Sequence, residues 1–249
     1  MGAVTIIGVN LYVLRIKTML INPDFSVRAR ISKFIPKISF ALGYNSSMHM
    51  SVVVTNYNYG RYLGRCLRSL LSQSAERDVF EIIVIDDAST DDSAVILKTF
   101  QDSIQVKSNK RNMGLAYSSN VGILSARGRY VVRVDADDYV HRDFIKSLLL
   151  GYELFGAETE AISTDYQIVT PEGKIIEYGH SMEKPIACAI AFKMDALETL
   201  GFYNESLRIN EEIDLRKRFE EKGFRVRNIN LPLYRYVLHS NSLSKSVIK

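Results

Sequence analysis

Three carboxylates stand within four positions of one another, directly after a hydrophobic run, in the stretch VVRVDADDYV at residues 131–140. They belong to Asp135, Asp137 and Asp138. Like charges this close repel one another, and each carboxylate resists removal from water. Two interpretations are open: the acids form a solvated turn that caps the next helix, or they hold a hard divalent cation. Carboxylate oxygens are the protein ligands that Mg²⁺ and Mn²⁺ prefer, so the second interpretation predicts Mg²⁺ or Mn²⁺ as the cofactor.

The segments around these acids alternate between strand-like and helix-like patterns. Short apolar, β-branched runs predict strands at 51–55, 80–87, 104–109 and 129–138. Amphipathic or capped segments predict helices between them, at 60–73, 92–101 and 114–128. This order predicts an α/β protein with a mostly parallel central sheet and helices on both faces.

Polar residues follow three of the predicted strands, at 55–58, 86–87 and 135–138. Ligands of parallel sheets bind beyond the carboxyl ends of the strands, so these positions predict one shared site. The second half is less regular. It predicts two strands around a turn at 160–179, a strand that runs into a helix at 185–201, an amphipathic helix at 210–223 and a strand at 224–230.

Phosphate-binding loops are absent from the predicted nucleotide site. The sequence has no G-x-x-x-x-G-K-[ST], and no G-x-G-x-x-G follows the first strand. The usual signatures of kinase-like phosphoryl transfer and of Rossmann hydride transfer are therefore missing. A nucleotide would then be held by a cation, carboxylates and stacking. Tyr57 either stacks on a base or packs in a turn. Asp87 either accepts a hydrogen bond from a base imide N–H or caps the next helix.

Four segments together resemble the family-two nucleotide-sugar glycosyltransferases, which have the GT-A fold. The resemblance covers about residues 50–245. It is carried by SVVVTNYNYGRYLGRCLRSLLSQ, EIIVIDDASTDDS, NMGLAYSSNVGILSARGRYVVRVDADDYV and INEEIDLRKRFEEKG, which occur in the family's order and spacing. The resemblance implies the GT-A fold and transfer of a sugar from a nucleoside diphosphate to an acceptor hydroxyl, with inversion at the anomeric centre.

The resemblance also implies which residues bind the donor. Thr55, Tyr57 and Asp87 fall where the family holds the nucleobase, usually uracil. Asp135 and Asp137 match the family's D-x-D motif, the first near the ribose and diphosphate and the second on the metal, with Asp138 as the usual third acid.

The C-terminal segment YRYVLHSNSLS resembles the family's Tyr-Arg…His…Ser-Leu-Ser segment and places His239 near the diphosphate or metal. Without the resemblance, His239 would be interpreted as a surface histidine. The family's general base is the second acid of a Glu-Asp pair, here Glu211 and Glu212. Glu212 is therefore the expected base, and Glu211 is the alternative.

Two positions depart from the family pattern. Glu212 replaces the more usual Asp, so its carboxylate reaches one methylene further, and a base must lie within about 2.6–3.2 Å of its proton. Many members also carry Arg before the Asn of an R-N-x-G segment, a position that we assign to Ser119 before Asn120. A diphosphate or base contact is then missing, or Arg111 or Lys110 supplies it.

Charge divides the chain into an extension at 1–49 and a GT-A domain at 50–249. The net charge is +4, and residues 1–49 hold six basic residues and one acid, so that segment is +5 and the remainder is 4 − 5 = −1. This excludes the body as a nucleic-acid binder.

The extension is interpreted either as a membrane-surface segment or as a poorly ordered tail upstream of the true start. No apolar run reaches about 18 residues. The two cysteines lack metal or redox spacing. We therefore expect a cytoplasmic protein, with peripheral contact to the inner face of the membrane as an option.

The expected function is metal-dependent transfer from a nucleoside-diphosphate sugar, favouring a UDP-sugar, to a glycan or lipid-linked glycan in cell-surface polysaccharide synthesis. Three alternatives stay open: a non-catalytic nucleotide-sugar binding module, a nucleotidyltransferase, and a membrane-surface scaffold whose tail is its primary functional part.

Overall fold

The computed structural model describes residues 49–156 and 158–240. The predicted N-terminal extension therefore lies, but for its last residue, outside the described residues. Among the described residues, no helix combines the length and the apolar character that crossing a membrane requires.

The first half alternates strands and helices as the sequence predicts. The elements are β1 (Met50–Asn56), α1 (Gly60–Leu71), β2 (Phe80–Asp86), α2 (Ser93–Phe100), β3 (Gln105–Ser108), α3 (Leu115–Leu124) and β4 (Tyr130–Asp135). Strands β1 and β2 are buried along their whole length, which their uninterrupted apolar, β-branched sequences favour. β1 pairs in parallel with β2 and β4, and β2 pairs in parallel with β3.

The second half wraps a mixed set of strands onto the parallel ones. Its elements are β5 (Tyr139–Val140), α4 (Phe144–Phe155), β6 (Ala161–Val169), β7 (Ile175–Gly179), β8 (Ile190–Lys193), α5 (Met194–Leu200), α6 (Glu211–Glu221) and β9 (Val226–Val237). The strand order is β3-β2-β1-β4-β8-β6-β9-β5, with β7 paired to β6. β8 runs antiparallel to β4, whereas β9 runs parallel to β6. The parallel prediction therefore fits the first four strands, and the rest of the sheet is mixed.

Helices cover both faces of the sheet, as predicted. α1, α2 and α4 pack on one face, where their apolar side chains meet alternate residues of β1, among them Val52 and Val54. α3, α5 and α6 pack on the other face, which Val53 and Val131 line. Both faces of the central strands are therefore sealed from water, and the open polar surface lies at the strand ends.

Two elements differ from the sequence prediction. The two-residue strand β5 was not predicted, and it pairs Tyr139 with Arg235 of β9. β9 was predicted to end at residue 230 but continues through Pro232 to Val237. Register shifts around Asp165 of β6 accommodate this extension. The continuation of β9 brings the C-terminal segment to the acids that follow β4.

The packing of α3 on β1 depends on Gly122. A methyl group there would overlap the side chain of Val53 and also crowd Ile85. We expect Gly122→Ala to destabilise the fold by about 1–3 kcal/mol, because overpacking a sealed interface forces α3 from the sheet. Urea unfolding followed by circular dichroism measures this change.

Gly64→Ala is the matched control, since it also adds one methyl group to a helix. That methyl group would meet only the flexible end of Arg68. The control should be neutral or stabilising by up to about 1 kcal/mol, because alanine favours helices. Equal destabilisation by the two variants would contradict close contact of α3 with β1.

Candidate active site

The ends of the parallel strands meet as the sequence predicts. Thr55 of β1 pairs in register with Asp135 of β4, and Asn56 pairs with Asp86 of β2. Asp137 and Asp138 follow in the turn between β4 and β5, where the Asp138 N–H donates to the Asp135 carbonyl at 3.0 Å. The three polar strand ends therefore form one edge of the sheet.

The carboxylate of Asp138 is buried and accepts hydrogen bonds from β9. It accepts one from the Tyr234 hydroxyl at 2.7 Å and another from the Val237 N–H at 2.8 Å. Burial, followed by the charges of Asp137 and Asp135, raises the pKa of this carboxyl well above its usual range. The third acid therefore fixes the C-terminal strand against the end of β4.

Asp137 faces the C-terminal histidine. Its Oδ2 lies 3.0 Å from Nε2 of His239. The imidazole stacks on Tyr62 of α1 with ring centroids 4.6 Å apart, and Tyr59 meets it edge-on. Burial and the charge of Asp135 raise the pKa of Asp137 to about 6, while the hydrogen bond to His239 opposes that shift. The sequence predicted that these two residues share a site, and the structure brings them together.

Asp135 is paired with an arginine from its own strand. Arg133 Nε lies 3.3 Å from Asp135 Oδ1. Among the described residues neither of these two buried atoms has a hydrogen-bond partner, so their contact is an ion pair without a hydrogen bond. The Asp135 side chain is 26% exposed, and its carboxylate therefore stays partly open to a ligand.

The acidic pair at the start of α6 divides into a buried and an accessible residue. Glu211 is only 3% exposed, and its Oε1 accepts from Arg133 Nη1 at 3.3 Å. Burial raises the pKa of Glu211, and the positive charge of Arg133 opposes this. Glu212 is partly exposed. The helix begins after Asn210, whose φ of 63° turns the chain sharply into it. The two adjacent glutamates therefore have different environments.

The predicted nucleobase residues lie at the ends of β1 and β2. Thr55 is buried, whereas Tyr57 is 45% exposed, so a base can approach its side chain. Asp87 is buried and accepts hydrogen bonds from the N–H groups of Met113 and Gly114, both at 2.8 Å, and from Asn109 at 2.7 Å. It thus anchors the loop before α3. A carboxylate has about four acceptor positions, so one remains.

The region around Ser119 has a structural role. Ser119 is fully buried, and its neighbour Asn120 bonds to both backbone groups of Tyr203. Lys110 and Arg111 are exposed on the loop before α3. The letters R-N-x-G also occur directly, at residues 111–114 of that loop. Arg111 therefore lies in the loop that Asp87 anchors.

Sequence reasoning missed three residues of the site. Arg133 had a signal, since an arginine inside a buried strand is rarely stable without a partner. Tyr234 opens the segment YRYVLHSNSLS that carries part of the resemblance, but nothing in it predicts the hydrogen bond of Tyr234 to Asp138. Cys188 was not a candidate because the two cysteines lack metal or redox spacing, yet its sulfur groups with carboxylate oxygens of Asp135 and Asp138 within 4.8 Å. Burial and the charge of Asp135 raise the pKa of this thiol well above its usual range, so it is protonated.

The donor atoms present fit a divalent cation. Asp137 and His239 place a carboxylate oxygen and an imidazole nitrogen 3.0 Å apart, and Asp135 adds a buried oxygen without a hydrogen bond. Carboxylates suit Mg²⁺ and Mn²⁺, and an imidazole in the set favours Mn²⁺ of the two. Such a charge would relieve the repulsion among the acids.

Solved structures share this architecture at low sequence identity. TarS of Staphylococcus aureus in complex with UDP-GlcNAc has a TM-score of 0.67 and 21% identity, over 78% of this chain and 60% of that one. A mannosyltransferase from Pyrobaculum calidifontis in complex with GDP-Man and Mn²⁺ has a TM-score of 0.58 and 19% identity, over 82% and 63%. The chain has the GT-A fold, as predicted.

Sequence comparison defines the family. The model of glycosyl transferase family 2 matches residues 51–194. The putative glycosyltransferase EpsE of Bacillus subtilis is 32% identical over 215 residues, covering 77% of this chain and 73% of the relative. Chondroitin synthase of Pasteurella multocida is 28% identical over 207 residues, which is 78% of this chain but about a fifth of that protein's length, 21%. The chain belongs to glycosyl transferase family 2.

In metal-free buffer, Asp138→Asn should reduce the loss of stability that accompanies rising pH. Because the pKa of Asp138 is raised in the folded protein, the folded state keeps a proton that the unfolded chain releases near pH 4. Stability from this group is therefore present below about pH 4 and lost as the pH rises through the folded pKa. The variant has no such proton, and its amide oxygen still accepts from Val237.

Thermal unfolding between pH 4 and 8 with a chelator measures this difference. Asp137, with a pKa of about 6, keeps part of the slope in the variant. Asp102→Asn, at an exposed turn, is the control and should retain the wild-type slope. Identical pH profiles for Asp138→Asn and the wild type would contradict a buried, proton-binding Asp138.

Proposed function

We propose that the chain is a metal-dependent, inverting glycosyltransferase. It transfers a sugar from a nucleoside diphosphate, with a UDP-sugar favoured, to a hydroxyl of a glycan or lipid-linked glycan in cell-surface polysaccharide synthesis. The observation that carries this proposal is the contact of Asp137 with His239 at the strand ends, beside the unbonded oxygen of Asp135. Relatives named as polysaccharide synthases and the UDP-GlcNAc complex of TarS support the donor class.

The donor lies along the three strand ends. Tyr57 offers an exposed side chain for stacking on the base, and Thr55 and Asp87 border the same end of the sheet. Asp135 would face the ribose and diphosphate, and Asp137 and His239 would hold Mg²⁺ or Mn²⁺. When bound, that cation supplies Lewis-acid stabilisation of the negative charge on the leaving diphosphate. The exposed Arg111 and Lys110 are further cations for the diphosphate.

Glu212 removes the proton from the attacking hydroxyl. It is the accessible member of the acidic pair, whereas Glu211 is buried against Arg133. The acceptor oxygen attacks the anomeric carbon as the bond to diphosphate breaks, and one such displacement inverts that centre. General base catalysis contributes about 10²–10⁴-fold, and alignment of the two substrates supplies much of the remainder.

The cytoplasmic location, the membrane contact through residues 1–49 and the boundary at residue 50 stay predictions. Liposome binding with and without residues 1–47 tests the membrane contact. Release of a nucleoside diphosphate instead of pyrophosphate separates this proposal from a nucleotidyltransferase, and release of any product separates it from a binding module.

Asp137→Ala should lower Mn²⁺-dependent transfer by more than about 100-fold. Loss of a residue that merely hydrogen-bonds to a metal ligand costs about 10- to 100-fold in activity, and loss of the ligand itself should cost at least as much. Nucleotide affinity in Mn²⁺ should fall with it. Coupled release of nucleoside diphosphate measures transfer, and calorimetry with UDP and Mn²⁺ measures binding. The exposed Asp102→Ala is the control. Wild-type binding and turnover in Asp137→Ala would rule out this metal site.

Glu212→Gln should lower kcat by about 10²–10⁴-fold and leave UDP affinity unchanged, since the amide cannot accept a proton. Single-turnover transfer and calorimetry measure the two quantities. Glu221→Gln, on an exposed position at the other end of α6, is the matched control. Normal turnover in Glu212→Gln would transfer the role of base to Glu211 or Asp214.

A further inference from the structure

Arg133 is an unusual residue for the centre of a sheet. It lies in β4 between two buried valines, and its side chain is 6% exposed. A buried guanidinium costs several kcal/mol unless charges and hydrogen bonds compensate it. A fold that needed only packing at this position would be served by an apolar residue. The arginine therefore needs an explanation from its contacts.

The guanidinium joins two elements that are far apart in sequence. Nε lies 3.3 Å from Asp135 at the end of β4, and Nη1 donates to Glu211 at the start of α6, also over 3.3 Å. The ring of Tyr203, in the segment between α5 and α6, lies under the guanidinium at 5.5 Å from its central carbon. One cation thus contacts the donor-side acid and the first residue of the helix that carries Glu212.

The connection restricts the position of α6. Its first turn carries three acids, Glu211, Glu212 and Asp214, and the helix begins at the left-handed Asn210 without a side-chain cap. Its N-terminal end therefore gains little from local capping. Successive helical side chains differ in direction by about 100°. Holding Glu211 toward the sheet consequently directs Glu212 away from it.

We propose that Arg133 is a positioning residue that couples the donor-binding acid Asp135 to the catalytic helix α6. It engages Glu211 in a buried ion pair and thereby leaves Glu212 as the carboxylate that meets the acceptor. The inference rests on the proposed transferase function. It adds a residue that touches neither substrate and a division of roles between two adjacent glutamates.

Arg133→Met tests the coupling, because methionine has a side chain of similar length that carries no charge. The guanidinium borders a small cavity that Ser119, Ala187 and Tyr203 also line, so a side chain of similar length fits. We expect kcat to fall about 10- to 100-fold, because a small displacement of a catalytic group causes a loss of this size. The dissociation constant of UDP in Mn²⁺ should rise as well, because Asp135 loses its partner. Arg133→Lys, which cannot reach both acids at once, should lie between the variant and the wild type.

Arg127→Met is the matched control for stability. Arg127 lies at the opposite end of the parallel strands from the site, where its guanidinium and its backbone N–H donate to the buried Glu81 of β2. Its loss should lower the Tm because it leaves a buried carboxylate without its cation, yet kcat should stay within about 3-fold of wild type because neither Asp135 nor α6 loses a contact. If the two variants reduce kcat equally at an equal loss of Tm, Arg133 has only a structural role and the proposal is overturned.

A double-mutant cycle tests whether Arg133 acts through Glu211. Arg133→Met and Glu211→Gln should each lower stability, since the first leaves the buried Glu211 without its cation and the second removes one of the two carboxylates that compensate the buried Arg133. The double variant should lose less than the sum, and the two effects on kcat should likewise be less than multiplicative. Additive losses of stability and of log kcat would overturn the proposal.

The readouts also separate this inference from the transferase proposal. Absence of transfer and of donor hydrolysis in the wild type would refute the function. The stability cycle and UDP binding would still report whether Arg133 couples the two acids.

Discussion

The crowding of three carboxylates at the end of one strand, one buried and two partly buried, is the constraint on which this structure depends. Each acid would cost several kcal/mol if it left water alone. Each is compensated from a different part of the chain: Asp138 by a hydroxyl and an N–H of β9, Asp137 by an imidazole beyond β9, and Asp135 by a guanidinium within β4. The positions of β9 and α6 relative to β4 therefore follow largely from where those charges find partners.

This constraint explains why the sheet changes character after β4. The parallel half presents the strand ends and supplies Arg133 to Asp135, but the partners of Asp137 and Asp138 come from the C-terminal segment. β9 runs parallel to β6 and then passes beside β5, and this path delivers Tyr234 and Val237 to Asp138. The same path brings His239 against the aromatic rings of α1. The order of the strands thus supplies the hydrogen-bond donors that the acids after β4 need.

Much of the first half was predictable because its signals are local. Apolar β-branched runs determine buried strands, and polar residues at their ends indicate where a ligand binds in a parallel sheet. The continuation of β9 past Pro232 was not predictable, since proline and arginine argue against a strand and only the distant Asp138 favours it. The different environments of Glu211 and Glu212 were equally hidden, because these adjacent identical side chains differ only in burial and in the reach of Arg133. Local sequence carries neither quantity.

The long sequence separation of the site also affects how the protein is made. Asp137 and His239 are 102 positions apart. At about 5–20 residues per second, a ribosome needs about 5–20 s to synthesise that interval. Throughout it the nascent chain has Asp137 and Asp138 but neither β9 nor His239, which compensate them, so these two carboxylates must stay hydrated. Most of the core is therefore synthesised before the edge that carries Asp137 and Asp138 can close.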